Sequence, residues 1–163
     1  MIVERSVFTD AGCFDSNFFM QLDDVDFSWR AHLAGYKVVF VPTSIVYHKA
    51  GAVSKVQSTA MFFRYEKNGI AMMIKNYSIK NLVRYLPLRI VIDLLHGISE
   101  GGFNVVLRAA LWNMVNLKLV WRKRVRVQRH ARKVSDSQIM QHMVKTSLLQ
   151  QATWHFQSHV KRP

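Results

Sequence analysis

The sequence is poor in three residue types, with one cysteine, three prolines and ten acidic residues among 163 positions. A single cysteine excludes an internal disulfide framework and a zinc site built from cysteines. The most apolar stretches, 82–98 and 103–121, are interrupted by charged side chains. Neither therefore matches the roughly 20 apolar residues that span a bilayer. The first residues also lack the apolar segment of a secretory signal peptide.

Apolar and basic residues are abundant instead. Hydrophobic residues make up 50% of the chain and charged residues 20%, which predicts one folded domain with a sizeable core. The formal net charge of +13 indicates a polyanionic partner, such as an anionic membrane, a nucleic acid or a phosphate-bearing substrate. Residues 1–60 hold five basic and six acidic side chains, so the whole positive excess lies after them. This asymmetry predicts two parts with different tasks.

Residues 1–58 show the pattern of an α/β region. Residues 38–41, which end at Pro42, and residues 45–47 are short apolar runs rich in β-branched and aromatic side chains, which predict strands. Between them and the N-terminus, residues 23–35 follow a helical repeat. Asp23 or Asp24 is the candidate N-cap of that helix and Gly35 its candidate C-cap.

The remainder of the chain is predicted to be helical in two further regions. Residues 59–121 form an amphipathic helical region, with one helix over 59–77, a second that Pro87 kinks or restarts, and a third apolar stripe over 103–121. Residues 122–163 form a basic helical tail whose last helix runs from an N-cap at Ser135 to about Leu149.

The basic tail begins with seven cations within twelve positions. These are Arg122, Lys123, Arg124, Arg126, Arg129, Arg132 and Lys133. One interpretation is attachment to an anionic membrane surface, with the apolar stripes at the headgroup boundary. The other is an ordinary helical subdomain with a solvated basic face. A nucleic-acid partner is not predicted, because zinc-finger spacing, an RNP-type motif and a clear helix-turn-helix are all missing.

Three carboxylates crowd the start of the first predicted helix, at Asp23, Asp24 and Asp26. A helix N-terminus offsets part of their repulsion, and Arg30 stands four residues after Asp26, within reach of an ion pair. One interpretation is therefore structural, a capped and salt-bridged helix start. The other is catalytic, because a carboxylate at a loop end can act as a general base towards a hydroxyl.

An ordered set of residues over roughly positions 2–77 resembles family 2 glycosyltransferases, and most closely their bacterial rhamnosyltransferase-like subgroup. The matching segments, in order, are Gly12-Cys13-Phe14-Asp15, Phe18-Phe19-Met20, Asp23-Asp24-Val25-Asp26-Phe27, Arg30, Ala34-Gly35-Tyr36, Pro42, Val46-Tyr47-His48, Phe63-Arg64, Asn68 and Lys75-Asn76. Each segment alone is a weak signal, whereas their order is specific.

The resemblance implies the acceptor-side, C-terminal part of a GT-A fold, a Rossmann-like α/β sandwich. It implies an inverting transfer of sugar from a nucleotide-sugar donor to a hydroxyl of a glycan or lipid-linked acceptor, in surface polysaccharide synthesis. Asp24 corresponds to the general base, and Asp23, Asp26 and Arg30 to supporting residues. A divalent cation, Mg²⁺ or Mn²⁺, stabilises the leaving diphosphate in this family. His48 matches a metal-binding position found in some members.

The sequence departs from the family pattern in three respects. Cys13 stands where the family has a second glycine, and Asp23 stands where it more often has Glu. The match also begins in the middle of the family's domain, so the nucleotide-binding strands and their Asp-x-Asp motif have no counterpart here. We therefore expect this chain not to bind the donor by itself. The expected location is cytoplasmic, peripheral on the inner face of the plasma membrane. The alternatives are a non-catalytic basic protein that binds membrane or nucleic acid, or an inactive remnant of such an enzyme.

Overall fold

The computed structural model describes residues 1–47, 59–99, 101–141 and 143, and all regular secondary structure in these residues is helical. In chain order the helices are α1 (Arg5–Asp10), α2 (Asp23–Leu33), α3 (Thr59–Asn76), α4 (Ile79–Ser99), α5 (Phe103–Val115), α6 (Leu117–Arg126), a π-helical segment (Val127–Ala131) and α7 (Asp136–Met140).

The predicted α/β class, with a GT-A portion in residues 1–58, is therefore wrong for the described part of the chain. Residues 38–41 and 45–47 form no strand, and their large apolar side chains are exposed, from 48% at Val38 to 95% at Tyr47. Residues of this type favour a strand only where a neighbouring strand supplies hydrogen bonds and packing. No such neighbour lies beside these segments within the described ranges.

Helix α3 is the centre of the molecule, in contact with α2, α4, α5, α6 and the π-helical segment. Its bounds confirm the helix predicted over 59–77. The largest buried cluster gathers side chains from α3 and its neighbours, namely Phe18, Ile70, Ala71, Ile74, Leu82 and Val120. Two smaller clusters lie on either side of α2. Packing on α3 is thus what holds the N-terminal loop and the basic helices together.

Helix α2 ends as predicted but begins differently. At its end, Gly35 has φ +87°, and the amides of Gly35 and Tyr36 donate to the carbonyls of His32 and Ala31 at 2.9 and 3.0 Å. This pairing is a Schellman motif, in which a left-handed glycine is favoured. At its start the N-cap is Leu22, not Asp23 or Asp24, and no side chain caps the helix.

The outer helices also correct the prediction in detail. Pro87 lies inside the single helix α4, which does not restart there. The third apolar stripe is divided at Asn116 into α5 and α6, and the predicted boundary between residues 121 and 122 falls inside α6. The N-cap at Ser135 is confirmed, with a capping box to Gln138. That last helix ends at Met140, and residues from 144 onwards lie outside the described part.

Four of the seven clustered cations have partners inside the protein. Arg124 is buried and donates to the carbonyls of Ile74 and Tyr77 at 2.5 and 2.7 Å. Arg132 bonds Asp136 and the Asn76 carbonyl, Lys133 bonds Asp10, and Lys123 bonds Asp15. Arg124 and Arg132 thus satisfy carbonyls left open at the C-terminal end of α3, where a positive charge is favourable.

Large apolar side chains are exposed along the outer faces of α4, α5 and α6. They include Val83, Leu88, Val91, Leu95, Ile98, Leu107, Leu111, Met114, Val115, Leu117, Leu119 and Trp121. Across the described ranges, none of the helices combines the length and the apolar character needed to cross a membrane. An exposed apolar surface of this extent commonly marks an interaction site.

Candidate active site

The loop that leads into α2 is held in an uncommon backbone conformation. Gln21 and Leu22 have φ of 72° and 62°, in the left-handed region that side chains other than glycine rarely adopt. The side-chain amide of Asn68, on α3, donates to the carbonyls of Met20 and Gln21 at 2.8 and 2.7 Å. Asn68 is fully buried, so it holds this turn in place from the interior of the protein. The conformation of the turn then sets the direction of the three carboxylates that follow it.

Asp24 is the exposed member of the cluster. Its Oδ1 accepts a hydrogen bond from the neighbouring Val25 amide at 2.8 Å. Asp23 is half-buried beside it. An exposed carboxylate at the first turn of a helix has the access that a general base requires. Its assignment as the catalytic base stays a prediction.

Asp26 occupies the opposite environment, with no exposed surface at all. Its carboxylate lies 3.0 Å from the Nε of Arg30, 3.0 Å from the Nζ of Lys75 and 3.0 Å from the amide nitrogen of Asn76. The ion pair predicted from the spacing of Asp26 and Arg30 is confirmed. Since all of its oxygens are occupied, Asp26 holds α2 against α3 and is closed to any ligand.

Arg30 connects this buried cluster to the loop before α2. Its guanidinium donates to the carbonyls of Ala11, Gly12 and Cys13 at 2.5, 3.1 and 2.9 Å. Gly12 takes the left-handed conformation with φ +80°, whereas Cys13 does not. The turn therefore accepts a side chain at position 13, and the Cys13 thiol is exposed there. Arg30 is the residue that gives this loop its shape.

Asp15 is an acid that sequence reasoning did not select as a site residue, and its side chain is only 5% exposed. Its carboxylate accepts from the Asn17 amide at 3.0 Å, from Lys75 at 2.6 Å and from Lys123. Although burial favours the neutral acid, Lys75 and Lys123 lower the pKa of Asp15 to about 2. Both Asp15 and Lys75 stand in segments that resemble the family. The sequence alone carried no signal that they touch, because 60 residues separate them.

Lys75 is the hub that joins these acids. Its ammonium binds Asp15 and Asp26, and it lies 4.3 Å from the centre of the Phe18 ring. A buried ammonium is stable only when its hydrogen bonds are satisfied, and here two carboxylates and an aromatic face do so. Residues from the loop, from α2 and from α3 are thus fixed around one cation.

An open cleft of about 480 Å³ is bordered by the loop that precedes α2. Asp15, Arg30 and Lys75 reach its wall from the buried cluster, and Arg126 and His130 reach it from the basic helices. Asp24 is not among its lining residues. The structure therefore separates the exposed carboxylate of α2 from the cationic cleft.

The predicted metal ligand, His48, lies outside the described residues, so the metal site stays a prediction. Among residues 1–47, 59–99, 101–141 and 143, no three His, Cys, Asp or Glu side chains are grouped so as to hold a metal ion. The described residues thus do not by themselves fit the divalent cation that the resemblance implies.

Comparison with known proteins gives a partial match to two curated proteins. The chain is 38% identical over 56 residues to N-acetylglucosaminyl-diphospho-decaprenol L-rhamnosyltransferase from two strains of Mycobacterium tuberculosis, CDC 1551 and H37Rv. The match covers 34% of this chain and 18% of each relative, so the chain spans about a fifth of the length of these relatives. No family model matches the chain, and no solved structure matches it with significance. The chain is similar, over this segment alone, to a rhamnosyltransferase.

Proposed function

We propose that this chain is the acceptor-side part of an inverting glycosyltransferase. The observation that carries the proposal is the ordered run of residues that resembles the family. Within this run, the cluster Asp23–Asp26 contains one exposed carboxylate, Asp24, and one buried carboxylate, Asp26. The carboxylate of Asp26 is satisfied by Arg30, Lys75 and Asn76, whereas the carboxylate of Asp24 stays accessible. The partial similarity to a rhamnosyltransferase supports the same class of enzyme.

In the proposed reaction Asp24 acts as the general base. Its carboxylate takes the proton from an acceptor hydroxyl while that oxygen forms a bond to the anomeric carbon of the donor sugar. The bond from the anomeric carbon to the diphosphate breaks in the same step, and the nucleoside diphosphate leaves with its electron pair. Attack opposite to the leaving group inverts the anomeric configuration. The divalent cation and the role of His48 are part of the proposal.

The relative's name supports a choice of substrates for the proposed reaction. Its acceptor is a saccharide linked through diphosphate to a polyprenol, and its transferred sugar is L-rhamnose. We accordingly assign this chain a deoxyhexose nucleotide donor and a lipid-linked acceptor, with the nucleotide held by residues outside the matched segment.

A chimera tests the role of Asp24. Residues 10–36 of this chain replace the matching segment of the mycobacterial relative, and rhamnosyl transfer is measured. We expect the chimera to be active and Asp24→Asn to lower kcat by about a thousandfold, which is within the effect of removing a general base. Donor binding, measured by titration calorimetry, should stay within a factor of two.

The matched control is Asp23→Asn, which removes the neighbouring charge and leaves Asp24 in place. It should lower kcat by no more than about tenfold. Equal losses for the two variants, or an active chimera unaffected by Asp24→Asn, would favour the structural role of the cluster and an inactive remnant.

Attachment to an anionic membrane is a second part of the proposal, with the inner face of the plasma membrane as the location. The exposed apolar side chains of α5 and α6 alternate with the exposed cations Arg108, Lys118 and Arg122. Apolar contact with the acyl boundary and cationic contact with headgroups together suit a peripheral helix pair. Because Arg124 is buried, Lys123, Arg132 and Lys133 are paired and Arg126 lines the open cleft, we assign the membrane contact within the basic run to Arg122 and Arg129.

Co-sedimentation with vesicles tests this attachment. Binding should require anionic lipid and should fall as salt is raised from 50 to 500 mM. Salt screens the attraction between exposed charges and headgroups, and the Debye length is about 10 Å at 0.1 M and shorter at higher salt. Binding that is independent of lipid charge and of salt would contradict it.

A further inference from the structure

The open cleft of about 480 Å³ has the size of a small-molecule site and two chemically different walls. One wall is the loop Thr9–Ser16, and the other is formed by the end of α6 and the π-helical segment that continues it. Asp24 lies outside the lining, so the cleft is separate from the proposed catalytic base. Binding there can be measured without glycosyl transfer, and only the lipid-linked source of the ligand named below rests on the proposed function.

The helical wall presents a single side of one continuous helix. Its lining residues recur at spacings of three and four, at Lys123, Arg126, Val127, His130 and Ala131. Such spacing places the three basic side chains in one row with the two small apolar ones beside them. The row continues through a π-helical turn, a rare conformation that is often found at functional sites.

Two of the basic side chains in this row have no acidic partner among the described residues. Asp10 is bonded to Lys133 at 2.6 Å and to the Tyr36 hydroxyl at 3.2 Å, and Asp15 is shared by Lys75 and Lys123. The acids of the cleft are therefore already neutralised. Arg126 and His130 are exposed, and each faces the cleft without a carboxylate. An anion entering the cleft would meet both.

The loop wall offers groups suited to the organic part of a ligand. The Phe14 ring is 43% exposed and is fixed by stacking on Phe27, with ring centres 4.8 Å apart. The Thr9 and Ser16 side chains bring hydroxyls to the same wall. A rigid aromatic surface beside hydrogen-bonding hydroxyls is a common environment for a sugar ring or another organic group.

We propose that this cleft binds a phosphate ester, with Arg126 and His130 on the phosphate oxygens and Phe14 beside the esterified group. Arg matches phosphate geometry with two parallel hydrogen bonds. Two sources of such an ester differ in solubility, a free sugar phosphate and the diphosphate head of a lipid-linked molecule.

Titration calorimetry of the full chain tests the site with three probes, inorganic phosphate, glucose 1-phosphate and geranyl diphosphate. We expect one site per chain and binding of at least one ester to be several-fold tighter than that of inorganic phosphate. Tighter binding of glucose 1-phosphate indicates the soluble source, and tighter binding of geranyl diphosphate indicates the lipid-linked source. Either result supports the phosphate-ester site.

Charge-matched variants of neighbouring arginines separate a built site from general attraction to a basic protein. Arg126→Gln should weaken the ester by about tenfold, and His130→Gln by a smaller factor. Arg129→Gln removes the same charge from an exposed position of the same helix that does not line the cleft, and should change affinity less than twofold. Circular dichroism should show unchanged helix content in each variant.

Two outcomes would overturn the proposal. One is equal weakening by Arg126→Gln and Arg129→Gln, which would show attraction to net charge alone. The other is the absence of ester binding, or inorganic phosphate binding as tightly as both esters, in buffer of moderate salt.

Discussion

The centre of the molecule and its outer helices distribute charge and apolar surface in opposite ways. Around Lys75 the interior holds Asp15, Asp26 and Arg30, all of them nearly or fully inaccessible to water. On α4–α6, by contrast, large apolar side chains face outwards, with Val115 84% exposed. In a typical globular domain, charged residues are almost never fully buried unless paired, and apolar patches are small.

This difference separates residues that hold the fold from residues available to partners. Buried charges stabilise only as a complete set, since each is compensated by its neighbours. Exposed apolar residues contribute little to the fold in this state and are free to contact a membrane or another surface. Removing a residue from the centre should therefore affect stability, and removing one from the outer face should affect binding.

Asp26→Ala should have the largest effect on stability. It leaves Arg30 and Lys75 buried without one of their acids, and breaking a buried ion pair from one side costs about 3–5 kcal/mol. The measurement is the free energy of unfolding from urea denaturation. Asp24→Ala is the matched control, an exposed carboxylate two residues away, and should change stability by no more than about 0.5 kcal/mol. Similar losses for both would contradict the division between Asp24 and Asp26.

Arg124→Met tests whether the basic run belongs partly to the fold. The substitution keeps an unbranched side chain but removes the donors to the Ile74 and Tyr77 carbonyls, which leaves buried acceptors unsatisfied. The expected loss is about 1–3 kcal/mol. Arg122→Met, at an exposed position two residues earlier, should cost less than about 0.5 kcal/mol. A larger loss of stability for Arg122→Met than for Arg124→Met would mean that α6 packs against the protein through the face that carries Arg122.

These packing roles show what could be predicted from the sequence and what could not. The ends of α3, the stop of α2 at Gly35, the Ser135 cap and the Asp26–Arg30 pair were predicted correctly, because each depends on residues within a few positions. Local patterns of periodicity and capping are sufficient for such features.

Errors arose where the structure depends on distant partners. The apolar runs at 38–41 and 45–47 have strand propensity, but a strand forms only beside another strand. Lys75 reaches Asp26 across 49 positions, and Lys123 reaches Asp15 across 108, contacts that no local pattern encodes. The same limitation hid the cationic cleft, since its two walls come from opposite ends of the described chain.

Glu66 lies where the centre of the molecule meets its outer helices, because it is buried on α3 beside α4. Burial and the neighbouring Asp93 carboxylate raise the pKa of Glu66 to about 7, although Arg89, 3.1 Å away, opposes them. A raised pKa means that the folded state holds its proton more tightly than the unfolded chain, whose value is 4.5. Stability should therefore fall as pH rises from 4.5 to 7.

The matched variant for this pH dependence is Glu66→Gln, which stays neutral throughout. The difference in unfolding free energy between the wild type and Glu66→Gln should shift by about 2–3 kcal/mol over that range, in favour of Gln at the higher pH. Urea denaturation at several pH values measures it. A constant difference across the range would show that Glu66 is ionised in the fold, held by Arg89.

Val115→Ser should have the smallest effect on stability and the clearest effect on binding. The side chain is 84% exposed on α5, so the fold loses little apolar contact and the expected change is within about 0.5 kcal/mol. If the outer face contacts acyl chains, the same change removes apolar surface from that contact and should weaken vesicle binding several-fold. Val106→Ser, at a buried position of the same helix, is the control with the opposite expectation. It should destabilise the fold by more than about 1 kcal/mol. A stability loss at position 115 as large as that at 106 would mean that the face of α5 is covered by another part of the protein in solution, and the contrast between a charged centre and an open apolar exterior would then not hold for α5.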